Sequence, residues 1–86
     1  MENKLKELVL LNRKKIGEDE LFNFLLDHIG KHIDEVKELK SKDDPHFYKE
    51  VADLYLLGYM LMLNENVNKE VVEERIKKIE GKINEN

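Results

Sequence analysis

The segment Leu54 to Leu63, LYLLGYMLML, constrains this chain more than any other part of it. Lys49-Glu50-Val51-Ala52-Asp53 comes directly before, so two carboxylates one helical turn apart open an almost wholly apolar helix. A helix that is apolar on nearly all sides must be covered on nearly all sides. With 86 residues the chain buries a smaller share of its surface than a long chain does, and its core is thin. Two solutions follow: a central helix covered by the rest of the chain, or an interface shared between copies. The second is expected, as a homodimer or tetramer built through Leu54–Leu63. The run is too short for a membrane span, which needs roughly 20 apolar residues, so no membrane partner is expected.

Composition removes several function classes. The chain has no cysteine, hence no disulfide, thiol nucleophile or thiolate metal site. Lys and Arg number 15 against 19 Asp and Glu, for a net charge of −4, and Arg13 and Arg75 are the only arginines. That balance argues against a nucleic-acid partner, because phosphate contact needs clustered basic side chains. The opening MENKLKELVLL lacks the apolar run and cleavage site of a secretory signal, so a cytoplasmic location is expected.

The periodicity predicts a single all-α domain over 1–86, a bundle of four helices. The first spans Glu2 to Ile16 and ends at Gly17, a residue suited to the left-handed conformation. The second runs from Glu18 to Lys40, with Glu18, Asp19 and Glu20 in the first turn, where the helix dipole favours acids. Its stripe is Leu21, Phe22, Leu25, Leu26, Ile29, Ile33, Val36 and Leu39. After the polar turn Ser41–Pro45, Asp44 can cap a third helix with Pro45 at its first position, ending near Leu63. Asn68 can cap a fourth, Lys69 to about Lys82, with Val71, Val72, Ile76, Ile79 and Ile83 on its apolar face and fraying beyond Gly81. So short a turn makes the second and third helices antiparallel neighbours.

Folding those two helices about Lys42-Asp43 brings Glu35 level with Glu50, and His32 level with Asp53. His28 lies one turn further out. Imidazoles and carboxylates on facing helices are how bundles hold metal ions. Oxygen ligands suit Mg²⁺ or Mn²⁺, while added imidazole shifts the preference towards Zn²⁺ or Ni²⁺. The alternative is ordinary: carboxylates solvated or paired with lysine, and half-buried histidines with hydrogen-bond partners.

On these residues the chain resembles the MazG-like, all-α nucleotide pyrophosphohydrolases. Glu50-Val51-Ala52-Asp53 matches the family's second motif, and Leu25-Leu26-Asp27-His28-Ile29-Gly30-Lys31 aligns with its first through Gly30. Asn66 to Val72 is similar to the break and last helix, so the resemblance covers Leu21 to Ile79. It implies a MazG-like bundle, Mg²⁺ or Mn²⁺ held by Glu50 and Asp53, and hydrolysis of a nucleoside triphosphate to release pyrophosphate. The first motif departs from the family: His28 and Lys31 stand where carboxylates are expected. Glu35 can substitute as a ligand, with His28 and His32 as further donors, and Lys31, Arg75 and Lys78 as the cations that meet phosphate. Glu35-Val36-Lys37-Glu38 has the right spelling but is out of phase with Gly30. No catalytic residue beyond the metal ligands is assigned. The lost ligands also fit a catalytically inactive helical dimer that serves as a binding or regulatory module.

Overall fold

The computed structural model describes residues 1–85, without the side chain of residue 85. It contains four helices and, among the described residues, no strand: α1 (Glu2–Ile16), α2 (Glu18–Ser41), α3 (Phe47–Asn64) and α4 (Lys69–Glu85). None is long and apolar enough to cross a membrane.

Local chemistry sets each boundary. Gly17 alone separates α1 from α2, at φ 86°, and its N–H closes the last turn of α1 on the Arg13 carbonyl. A side chain there would be strained, so glycine is what permits so abrupt a join. The α2–α3 connection turns at Asp43, with φ 53°. Asp44 does not cap α3, whose N-cap is His46, two residues later. The Asp44 Oδ1 accepts from the His46 N–H at 2.9 Å, and the Phe47 N–H closes a tighter turn on the Asp44 carbonyl. Regular α-helix therefore begins at Phe47 rather than Pro45. Asn66, at φ 56°, turns the chain out of α3. Asn68 caps α4, its Oδ1 accepting from the Val71 N–H at 3.1 Å. α4 continues through Gly81 to Glu85, beyond the expected end.

α2 and α3 form the antiparallel hairpin that carries most of the tertiary packing, and α1 lies against both. The core occupies one end of this hairpin. Val9, Leu21 and Leu25 are buried together, with Leu57, Met60, Leu61 and Leu63 packed around them, and Leu5 is buried as well. The polar Asn64 is buried completely among them. Its Nδ2 donates to the Glu18 carbonyl at 3.3 Å and to Glu65 at 3.0 Å, while its own carbonyl accepts from Arg13 at 3.0 Å. Arg13 also pairs with Glu18 at 3.1 Å. This node ties the ends of α1 and α3 to the start of α2.

Two expectations change in detail. Within the α2 stripe Leu21 and Leu25 are buried and Phe22, Ile29, Val36 and Leu39 half-buried, while Leu26 and Ile33, two turns apart on one edge, remain over two-fifths exposed. α4 does not close a four-helix bundle. No Cα of α4 comes within 8 Å of one in α1, α2 or α3. The radius of gyration is accordingly 15.1 Å, where a compact chain of this length has about 12 Å.

The Leu25 side chain has no exposed surface. Leu25→Ala should therefore lower the unfolding free energy measured in urea by about 2–5 kcal/mol. Tyr48→Ala, at a side chain mostly in solvent, should change it by no more than about 0.5 kcal/mol.

Candidate metal centre

Beyond the core, towards the α2–α3 turn, the hairpin brings two polar pairs face to face. Positions three apart on a helix share a face, so α2 presents His32 and Glu35, and α3 presents Glu50 and Asp53. The antiparallel register that sets Leu21 and Leu25 against the end of α3 sets these pairs level with each other. His32 Nδ1 hydrogen-bonds to Glu50 Oε2. It lies 3.8 Å from Glu35 Oε2 and 4.0 Å from Asp53 Oδ2. His32 and Glu50 form the half-buried inner pair, with side chains about one-fifth exposed, while Glu35 and Asp53 face solvent more openly.

Donor atoms of His32, Glu35 and Glu50 lie within 4.8 Å of one another. Ligands at about 2.1 Å from a common ion can be no more than about 4.2 Å apart. The group therefore needs to close by well under an ångström to share one.

The electrostatics favour a cation that would draw the group closed. Glu35 shares a hydrogen bond with Glu50, and together with the Glu50 charge this raises the Glu35 carboxyl above its ordinary range. The His32 hydrogen bond, then that of Glu35, holds Glu50 below its ordinary range. Shifts in opposite directions are the response of two acids placed close enough to disfavour each other's charge. Among the described residues, no lysine or arginine forms an ion pair with Glu35, Glu50 or Asp53. Lys31 and Lys42 instead engage Asp27 at 3.1 Å and Glu38 at 2.7 Å. Three carboxylates and one imidazole thus stand together with no fixed basic partner.

The other sequence candidates lie elsewhere. His28 stacks on Phe24, ring centroids 4.2 Å apart, and is outside the group. Lys31 points along α2 to Asp27. Arg75 and Lys78 are carried on α4, away from the hairpin. Of the two phases offered for the first motif, the one containing Glu35 has a residue in the site, and the one containing His28 and Lys31 has none. Glu38 is one turn beyond Glu35 on the way to the α2–α3 turn.

Sequence reasoning missed the Asn64 node. The signal was present: Leu57, Met60, Leu61 and Asn64 recur at helical spacing, so Asn64 continues the core face rather than ending it.

No protein-family model matches the chain, and no curated protein and no solved structure matches it.

Glu35→Gln removes one charge from the crowded pair. A carboxyl whose pKa is raised by folding is disfavoured as the anion in the native state. At pH 7 it is ionised in both states, and the native state bears the penalty; below its ordinary value of 4.5 it is protonated in both states and the penalty is gone. The metal-free variant should therefore melt higher than the parent at pH 7, and the difference should vanish as the pH falls below that value, as read by thermal unfolding across a pH series.

Proposed function

We propose that the α2–α3 hairpin is a divalent-cation site formed by His32, Glu35, Glu50 and Asp53, and that the bound ion serves phosphoanhydride hydrolysis of a nucleoside triphosphate. The observation that carries the first part is the set of three carboxylates around one imidazole with, among the described residues, no lysine or arginine paired to them, in which the Glu50 charge raises the Glu35 carboxyl above its ordinary range. A cation relieves that crowding directly. One imidazole among carboxylates suits Mn²⁺ better than Mg²⁺ and admits Zn²⁺ or Ni²⁺.

The second part rests on the resemblance to MazG-like pyrophosphohydrolases together with the facing pairs. Glu50 and Asp53 stand at the positions that match the family's second motif, and Glu35 faces them. A divalent ion of this kind, when bound, carries triphosphate oxygens and lowers the pKa of a coordinated water. The protein's own part is positional. His32 holds Glu50 in place through its Nδ1, and Asp53 and Glu35 flank that carboxylate on the solvent side. Glu35, made more basic by its neighbour, would in its ionised form be suited to accept a proton from an attacking water. Lys31, next to His32 in the sequence, is a cation for phosphate once it leaves Asp27. Association of copies through α3 belongs to the same reading: Tyr55 is 60% exposed and Val51 42% exposed on that helix.

Thermal unfolding and calorimetry with Mn²⁺, Mg²⁺ and Zn²⁺ test the site. Saturating Mn²⁺ at about 100 times its dissociation constant should stabilise the fold by about 2.7 kcal/mol, and Glu50→Gln should abolish the shift. An unchanged midpoint with every ion would overturn the site. Pyrophosphate release from nucleoside triphosphates with Mn²⁺, lost in Glu50→Gln, supports the hydrolase. Ion binding without turnover removes the hydrolase and leaves a metal-binding helical module.

A further inference from the structure

Among the described residues, α4 stands apart from the body of its own chain, with no Cα within 8 Å of one in α1, α2 or α3. Only its first turn approaches the rest, where Lys69, Val72 and Glu73 border a groove shared with Glu2, Tyr59 and Met62. Beyond that turn, Ile76, Ile79 and Ile83 are 58%, 55% and 67% exposed. Helices in proteins draw most of their stability from packing an amphipathic face, so an amphipathic helix left standing in solvent needs a second surface.

The spacing of the apolar residues says what kind of surface. Val72, Ile76, Ile79 and Ile83 follow one another at intervals of four, three and four. That is the seam of a coiled coil, with Val72 and Ile79 at d and Ile76 and Ile83 at a. The same register puts Glu73 and Glu80 at e, and Arg75 and Lys82 at g. Residues at e are then acidic and those at g basic. Between two copies running parallel, g of one helix meets e of the next, so Arg75 meets Glu80 of its counterpart in both directions. Between antiparallel copies, e meets e and g meets g, and every such pair is of like charge. Gly81 falls at f, on the outer side, where it costs the seam nothing.

The exposed area agrees. The chain exposes 7022 Å², whereas a compact monomer of 10.2 kDa exposes about 5,300 Å². The excess of about 1,700 Å² exceeds the roughly 800 Å² that each partner of a stable interface contributes. The α4 seam can therefore be covered together with the apolar surface left on α3.

We propose that α4 is a self-association helix, packing in parallel and in register against α4 of other copies of this chain through Val72, Ile76, Ile79 and Ile83. Arg75–Glu80 pairs set its direction. The β-branched residues at both a and d favour more than two strands over two.

Because the chain has no cysteine, single cysteines report the geometry directly. Val72→Cys and Ile83→Cys are each oxidised, alone and mixed, beside Glu74→Cys on the outer face as control. Parallel packing gives fast disulfides in each variant alone. Disulfides formed only between the two variants when mixed, or no faster than in the control, overturn the proposal. Sedimentation equilibrium gives the second arm. Ile76→Asp should raise the dissociation constant of the assembly at least about a hundredfold, while circular dichroism and thermal unfolding show α1–α3 still folded. Arg75→Glu and Glu80→Arg should each weaken association, and the two together should restore it. A wild-type chain that stays monomeric up to millimolar concentration, or an assembly untouched by Ile76→Asp, overturns the proposal.

Discussion

The antiparallel register of α2 against α3 is the constraint on which the rest depends. It is fixed at one end, where Leu21 and Leu25 seat among Leu57, Met60, Leu61 and Leu63. Once those side chains are placed, the helical repeat leaves no freedom at the other end: His32 and Glu35 must face Glu50 and Asp53. Slipping α3 by one residue would rotate its core face by about 100° and send Asn64 to solvent. The charge crowding at the site is thus sustained by apolar burial some turns away. That separation explains why a site unfavourable in itself can persist in so small a fold.

Asn64 shows how the thin core is made specific. A leucine at this position would bury more apolar area but could not reach the Glu18 carbonyl, and Asn64 brings with it Arg13, which holds both the end of α3 and Glu18. A buried polar group is costly when unpaired and selective when paired. Asn64 Oδ1 and Arg13 Nε are buried without a protein partner, so part of that cost is still borne. In exchange, α1 is fixed at one angle to the hairpin, which Gly17 alone would leave free to swing.

The helices themselves were legible because their determinants are local. Gly17 ends α1, Asn68 caps α4, and the acidic first turn of α2 marks its start. The facing quartet was also legible, since a short turn and the helical repeat together give a register. What escaped the sequence concerned cover. Periodicity identifies the apolar face of α4, but not whether Val71 to Ile83 lies on its own chain or on another. The same gap hid the exposure of Leu26 and Ile33, which belong to the stripe on α2 but lie along an uncovered edge of it. Aligning the first motif through Gly30 chose His28 and Lys31, whose side chains point to Phe24 and Asp27; the hairpin register, not the spelling, places Glu35.

The position of the quartet near the turn also bears on the order in which the chain can assemble. Closing a short loop costs less entropy than closing a long one, so the hairpin meets Glu35 and Glu50 before it meets Leu21 and Asn64. The Lys40–Phe47 contact beside the turn comes first, the crowded carboxylates next, and the apolar core that rewards them last. Low pH or a divalent ion lifts that early barrier without touching the core. The refolding rate should respond to both more strongly than the unfolding rate does, a pattern that stopped-flow refolding can resolve.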